Sequence, residues 1–261
     1  MSEKISAKTI KSSSYSECIS VEFVSADQDT VNMEFRWKGE APKGGQFFLV
    51  KPRRTSVFLP RPISVSAVGE NTVSFLIARR GSGTRELTDM RPGDEAELIG
   101  PLGNCWLDCI ELKKKSRTIA LIGGGIGIAP LLVFAHELAE RRIPFNFYAG
   151  FRSAAFALET IKPLSLVIVS EDGSVGVKGR VTEFFFPKGY DAVFACGPQP
   201  MLKTVADSCI GNSVPCFISM EKHMACGVGA CRGCTVGTLG GNRSCCADGP
   251  IFNAGEVYFD R

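Results

Sequence analysis

Four thiols carry the most specific chemistry in this chain. They are set out as Cys226-x4-Cys231-x2-Cys234 and then, after 11 further residues, Cys246. This is the plant-type spacing for a [2Fe-2S] cluster. Two irons bridged by sulfides need four thiolates arriving from several directions. The glycines and alanine between the first three cysteines let one tight wrap supply them and turn backbone amides toward the sulfurs, and the fourth thiol closes the cage from a distance. A zinc knuckle is the alternative, but no pair of ligand histidines stands near to complete one. Cys245 and Cys246 compete for the fourth position, which spacing alone does not separate. Cys246 is favoured because it opens Cys-Ala-Asp-Gly-Pro, a turn able to present its side chain.

A second constellation is Gly123-Gly124-Gly125-Ile126-Gly127-Ile128-Ala129-Pro130, directly after an apolar run and directly before a helical pattern. Side-chain-free backbone beside a helix start suits a dinucleotide diphosphate, so Gly123, Gly125 and Gly127 are candidate NAD ligands; a structural glycine turn is the alternative. Cys196-Gly197-Pro198-Gln199-Pro200-Met201 repeats the strand-to-helix context, at the sheet edge where ligands bind in such folds. The third constellation is Arg61-Pro62-Ile63-Ser64, followed at strand spacing by Ile77, Ala78, Arg79 and Gly81-Ser82-Gly83-Thr84. A guanidinium, a hydroxyl and a Gly-Thr turn together suit a flavin diphosphate and isoalloxazine edge. His136 and His223 are not read as ligands. The chain shows no Ser-His-Asp set, no paired-carboxylate site and no Walker loop.

The elements that must position these groups change character along the chain. Up to residue 105 the pattern is short β-rich runs (20–24, 31–37, 46–51 and 72–78) separated by turn signals, which indicates a small antiparallel barrel. From about residue 115, strands are expected at 117–122, 145–149, 165–170, 191–195 and 217–220, and helices at 130–142, amphipathic, and 200–209. This alternation indicates a parallel, Rossmann-like sheet covered on both faces. The Gly- and Cys-rich segment 218–261 is too small for a large core and needs a staple. The expected architecture is therefore multidomain, β followed by α/β: a barrel (1–105), a nucleotide-binding domain (106–217) and a cluster domain (218–261).

Composition excludes several classes. Thirty basic and 27 acidic residues leave +3, with 44% hydrophobic content, so the chain is neither disordered nor a nucleic-acid binder; the basic runs 51–54 and 113–117 are short and lack interleaved aromatics. Eleven cysteines with no apolar leader at the N-terminus point to reduced thiols and a cytoplasmic setting. Residues 118–135 carry no charge, but their glycines and Pro130 argue against a membrane span.

The combination resembles the ferredoxin-NADP reductase superfamily, in which a flavin barrel carrying R-x-[YFI]-[ST] precedes a nucleotide domain with the glycine loop and the C-G-P turn. Within it, Arg61-Pro-Ile-Ser64, Glu171-Asp-Gly-Ser174 with Lys178-Gly179, Cys196-Gly-Pro-Gln-Pro-Met201 and Ser219-Met-Glu-Lys-His-Met-Ala-Cys226-Gly-Val-Gly-Ala-Cys231 resemble the electron-transfer subunits of class 1B dihydroorotate dehydrogenases. Small subunits of bifurcating transhydrogenases typically have Asp where Cys226 stands. The resemblance implies FAD held by the Arg61–Ser64 and Ile77–Thr84 residues, NAD at Gly123–Gly127, and Cys196 lining the nicotinamide pocket. The flavin would divide a hydride into single electrons for the cluster. It also implies a partner subunit with FMN that oxidises dihydroorotate to orotate in pyrimidine biosynthesis, assembled as a heterotetramer. Diaphorase subunits of hydrogenases or sulfhydrogenases share the framework and can use short closing loops, so they are the alternative. A regulatory iron–sulfur sensor would have no need to keep all three motifs. NAD and NADP are not distinguished: Arg152-Ser153 suits either a 2′-phosphate or solvent, and no acidic residue adjoins them in sequence.

Overall fold

The computed structural model describes residues 13–25, 30–109 and 118–259; the N-terminal stretch 1–12 and the basic run 113–117 lie outside them. Six antiparallel strands close a barrel: β1 (Ser13–Ser25), β2 (Thr30–Arg36), β3 (Phe47–Pro52), β4 (Arg61–Gly69), β5 (Thr72–Ala78) and β6 (Glu95–Leu102), in the order β1-β2-β5-β4-β3-β6. The two-residue period sends Val31, Met33 and Phe35 of β2 and Val73, Phe75 and Ile77 of β5 into one apolar interior.

Two of these strands, β4 and β6, were not among the expected β runs. Pro62 argues against a strand, since it cannot donate to a ladder. Pairing of β5 with β4 begins only at Val65, so Pro62 sits where β4 is a free edge on that side. The stretch Gly81-Ser-Gly-Thr84 was expected as a turn at strand spacing. It opens a short helix instead, α1 (Ser82–Thr88), because the Thr84 hydroxyl accepts from the Arg80 and Gly81 amides (2.9 and 3.1 Å) and closes the first turn on itself.

The second layer is a seven-stranded sheet. It comprises β7 (Ile119–Gly124), β8 (Phe145–Phe151), β9 (Ser165–Ser170), β10 (Val177–Lys178), β11 (Ala192–Cys196), β12 (Cys216–Ser219) and, from the C-terminal segment, β15 (Ile251–Asn253), in the order β10-β9-β8-β7-β11-β12-β15. All pairs are parallel except β12 with β15. Helix α2 (Ala129–Glu140) covers one face through Leu131, Phe134 and Leu138, and α3 (Gln199–Gly211) the other through Leu202, Val205 and Cys209. The first two turns of α2 are buried on every side, not amphipathic as expected, because α2 is wedged between the sheet and β4. Trp106 fastens barrel to sheet: it is fully buried, donates Nε1–H to the Pro130 carbonyl (2.9 Å) and stacks on Phe134.

The C-terminal segment adds the ribbon β13 (Thr235–Thr238) and β14 (Gly241–Ser244), the single turn α4 (Cys245–Asp248) and β15. The boundary expected at 217/218 falls inside β12, and β15 joins the nucleotide sheet, so this segment borrows its support from its neighbours. No helix among the described residues is long and apolar enough to cross a membrane; the uncharged stretch 118–135 forms strand β7, a tight turn and the first two turns of α2.

Candidate functional site

The four cluster thiols fall into two neighbouring pairs, Cys226 with Cys231 and Cys234 with Cys246. Backbone amides point at these sulfurs: Cys231 N to Cys226 Sγ (3.4 Å), Gly233 N to Cys231 Sγ (3.5 Å), Cys246 N to Cys234 Sγ (3.4 Å) and Gly229 N to Cys246 Sγ (3.1 Å). Amide donors stabilise thiolate, the form that binds iron. Burial alone would raise the Cys226 thiol, but the amides of Cys231 and Val228 outweigh it and bring it to about 7. Cys246 lies deeper, and burial together with the neighbouring Cys234 pushes it up to about 12, so a metal must displace its proton. Two pairs of thiols, each pair able to hold one iron, fit the two-iron centre. Among the described residues no three metal-ligating side chains gather around one point.

Helix α4 gives Cys245 and Cys246 different surroundings. Successive side chains on a helix diverge by about 100°. Cys246 therefore faces the cysteine loop, while Cys245, wholly buried, donates its S–H to the Met220 carbonyl (3.1 Å).

On the barrel, Arg61 lies across the first turn of α1, where a Cβ on Gly83 would stand 2.0 Å from its Nε, so only glycine leaves room for the guanidinium. Arg79 pairs through Nη2 with Asp89 (2.6 Å), and its buried Nε has no partner. Arg61 to Ser64 are half-buried along β4, with a cradle and two guanidinium groups beside them, an arrangement that fits a flavin diphosphate. Ile77, by contrast, turns its side chain into the barrel core, and the Thr84 hydroxyl is spent within its own turn, so these two can meet a ligand only through backbone.

At the sheet edge, the glycine run and the C-G-P turn are in contact. Cys196 pairs in register with Gly123, and a Cβ on Gly127 would stand 2.5 Å from the Cys196 carbonyl oxygen. Gly125 differs: its φ is +56° and a Cβ there would meet nothing. Barrel strand β5 packs against the Gly125–Ile128 turn, which brings the barrel motif and the glycine turn together. The Cys196 side chain is only 2% exposed; burial and then the charge of Glu221 hold its thiol well above the ordinary range. Glu221, whose own carboxyl is raised by desolvation, was missed by sequence reasoning, although it stands within the Ser219–Cys231 run. Acidic residues also reach the place where none adjoins in sequence: the Glu171 amide donates to the Phe151 carbonyl (3.1 Å) and that of Asp172 to Arg152 (3.2 Å), which puts both beside Arg152. Strand order was the signal that would have found them, since parallel β8 and β9 end side by side.

An antiparallel barrel with an arginine-led edge, joined to a parallel sheet with a glycine turn at its carboxyl edge, defines the class of ferredoxin reductase-like oxidoreductases. Among solved structures, an NADH-dependent reduced ferredoxin-NADP oxidoreductase matches with a TM-score of 0.81 at 25% identity, covering 94% of this chain and 90% of that one. A ferredoxin reductase of carbazole 1,9a-dioxygenase shares the fold (TM-score 0.66, 21% identity, 78% and 67% covered). The family model for the iron-sulfur cluster binding domain of dihydroorotate dehydrogenase B matches residues 221–258. The dihydroorotate dehydrogenase B (NAD(+)) electron transfer subunit of Clostridium perfringens is 44% identical over 219 residues, 82% of this chain and 87% of that protein. Its counterpart in Clostridium acetobutylicum is 40% identical over 226 residues, 85% and 89%. The chain belongs to this family of electron transfer subunits.

Proposed function

We propose that this chain relays electrons between NAD and a single-electron exit as the electron-transfer subunit of an NAD-linked dihydroorotate dehydrogenase. The observation that carries this reading is a juxtaposition. Gly227 of the cysteine loop sits on the side chain of Leu49 of β3, and the partner of Leu49 on β4 is Pro62 of the arginine motif, so the cysteine loop rests on the strand next to that motif, roughly 4.8 Å being one strand spacing. When bound, FAD would accept two electrons as one hydride, and the [2Fe-2S] cluster would carry them away singly.

The chain's own part is binding and orientation. Arg61, with Arg79 behind it, neutralises the flavin diphosphate; Pro62, Ile63 and Ser64 line the ring edge, with Ala78 and the backbone of Ile77, Gly83 and Thr84 beside it. Backbone at Gly123, Gly125 and Gly127 meets the dinucleotide, and Cys196 closes the floor of the nicotinamide pocket. Glu171 beside Arg152 favours a ribose hydroxyl over a 2′-phosphate, which supports NAD. Cys226, Cys231, Cys234 and Cys246 hold the irons. The regions 1–105, 106–217 and 218–261 divide these tasks. The described residues bring together no general acid and base pair for dihydroorotate, so that oxidation falls to a companion subunit carrying FMN, in a cytoplasmic heterotetramer. The companion docks where Arg232 and residues 242–248 border the cluster. Purified alone and anaerobically, the chain should contain two irons and two sulfides, oxidise NADH with artificial acceptors, and leave dihydroorotate unchanged. Dihydroorotate oxidation by the isolated chain would refute this division of labour.

A further inference from the structure

We infer that Asn104 is the positioning residue that fixes the cluster against the flavin-bearing barrel, and so sets how readily electrons pass between them; this rests on the placement of FAD at the β4 motif. Asn104 stands just beyond β6, and its hydrogen bonds converge on Asp248, Gly249 and Ile251, a short stretch that begins two residues after Cys246. Its amide donates to the Gly249 carbonyl (2.7 Å). Its Nδ2 donates to the carbonyls of Ile251 (2.9 Å) and Asp248 (3.4 Å), and its Oδ1 accepts from the Ile251 amide (3.0 Å). The side chain therefore uses both its donor and its acceptor end on one short stretch.

That stretch is mechanically continuous with the cluster. Asp248 ends the helical turn that carries Cys246, and the Asp248 carboxylate accepts from the Ser244 amide at the other end of that turn (2.7 Å). Ile251 begins the strand that pairs with β12. On the barrel side, β6 pairs with β3, and Leu49 of β3 and Leu102 of β6 are the two side chains on which Gly227 rests. The rest of the seam is apolar and without direction: Phe47, Leu49 and Leu102 of the barrel share a core with Met224, Cys246 and Phe252, and beside it opens a crevice of about 230 Å³ bordered by Gln46, Gly103, Asn104, Gly227 and Cys246. Apolar contact at Gly227 presses the loop down, while Asn104 fixes its lateral position. Without that fixed position the cluster loop can shift along the crevice, which changes the separation on which electron passage depends but leaves the strands that carry the arginine motif and the glycine turn in place.

The test mixes the anaerobic holo-protein with NADH, following flavin bleaching by absorbance and the reduced cluster by freeze-quench EPR. In Asn104→Ala, iron content, EPR line shape and flavin bleaching should stay within about twofold of native. Cluster reduction should slow by at least about tenfold, which corresponds to about 1.4 kcal/mol. Asn104→Asp, which turns the Nδ2 donor into an acceptor facing two carbonyls, should slow it further. Amide exchange at Ile251 should accelerate in both variants while that of β5 does not change. Native-rate cluster reduction in both variants would overturn the inference, as would flavin and cluster reduction slowing together, the mark of a merely structural residue. If Asn104→Ala releases iron, Asn104→Ser is measured in the same way and read by the same criteria. Should the native protein take up no FAD, the flavin placement has failed instead, and exchange at Ile251 still decides whether Asn104 holds the seam.

Discussion

The glycine turn at 123–127 and the cysteine loop at 226–234 both crowd small residues around a proposed ligand, yet they are built for different reasons. In the loop, the chemistry and the architecture coincide: amides point at sulfurs, and the segment's apolar side chains pack into a core it shares with its neighbours. In the turn, most of the glycine content is demanded by packing. A Cβ on Gly124 would stand 2.6 Å from Met201 Sδ, and one on Gly127 would strike the Cys196 backbone, whereas only Gly125 faces open space. A glycine-rich signature thus mixes residues that make room for a ligand with residues that make room for the protein.

The largest effect that would break this comparison concerns the loop. Cys226→Ser, Cys231→Ser, Cys234→Ser and Cys246→Ser should each abolish the cluster, whereas Cys245→Ser should retain it, since a serine hydroxyl can still donate to Met220. Iron content and visible circular dichroism read the outcome, and a cluster lost with Cys245 but kept without Cys246 would reverse the assignment.

Next is Arg61→Ala, which removes a charge-assisted contact worth roughly 1.5–3 kcal/mol, or about ten- to a hundredfold in FAD affinity, and leaves the cluster intact. Flavin content after dialysis tests it; unchanged content would place the flavin elsewhere. The turn itself gives a graded pair. Gly127→Ala should lower unfolding stability by about 1–3 kcal/mol through overpacking. Gly125→Ala should cost about 1 kcal/mol through its left-handed backbone, and weaken NADH binding out of proportion to that loss. Denaturant titration beside NADH titration separates the two, and equal effects at both positions would erase the distinction.

The smallest effect concerns Glu137 on α2. Its Oε1 accepts from the Gly44 amide (3.0 Å) across the barrel–sheet interface, while its buried Oε2 has no partner. Burial raises its carboxyl above the ordinary range, only partly offset by the Gly44 amide and the nearby cations Arg141 and Lys43. The folded state therefore holds the proton more tightly than the unfolded chain. This contribution to stability is greatest at acid pH and falls as pH rises from about 4.3, the ordinary carboxyl value, through the raised one. Glu137→Gln keeps the bond to Gly44, so it should gain up to about 1 kcal/mol at neutral pH and flatten that part of the pH dependence, as urea titrations across pH would show.

Much of this was legible in the sequence where one residue type has one strong meaning. The cysteine spacing, the apolar strand at 165–170 and the strand-glycine-helix contexts each reflect a local constraint, and local constraints survive in a linear reading. What was lost depended on neighbours. Strand β4 hides behind Pro62 because only the pairing register shows that its edge is free there. The all-round burial of α2 comes from a barrel about 60 residues away in the chain, and Glu171 reaches Arg152 only through strand order. Cys245 and Cys246 are equivalent in a string but point about 100° apart on a helical turn, to different partners.

If this chain is the electron-carrying half of a dihydroorotate-oxidising complex, reconstitution with the other half should restore the full reaction. Purified holo-protein is mixed with an FMN-bearing dihydroorotate dehydrogenase subunit from the same organism, and dihydroorotate-dependent reduction of NAD is measured beside the molecular mass of the product. A stable complex should form, with an activity that neither chain shows alone. No association there, with stable binding and NADH-linked turnover on a hydrogenase or sulfur-reducing subunit instead, would contradict it.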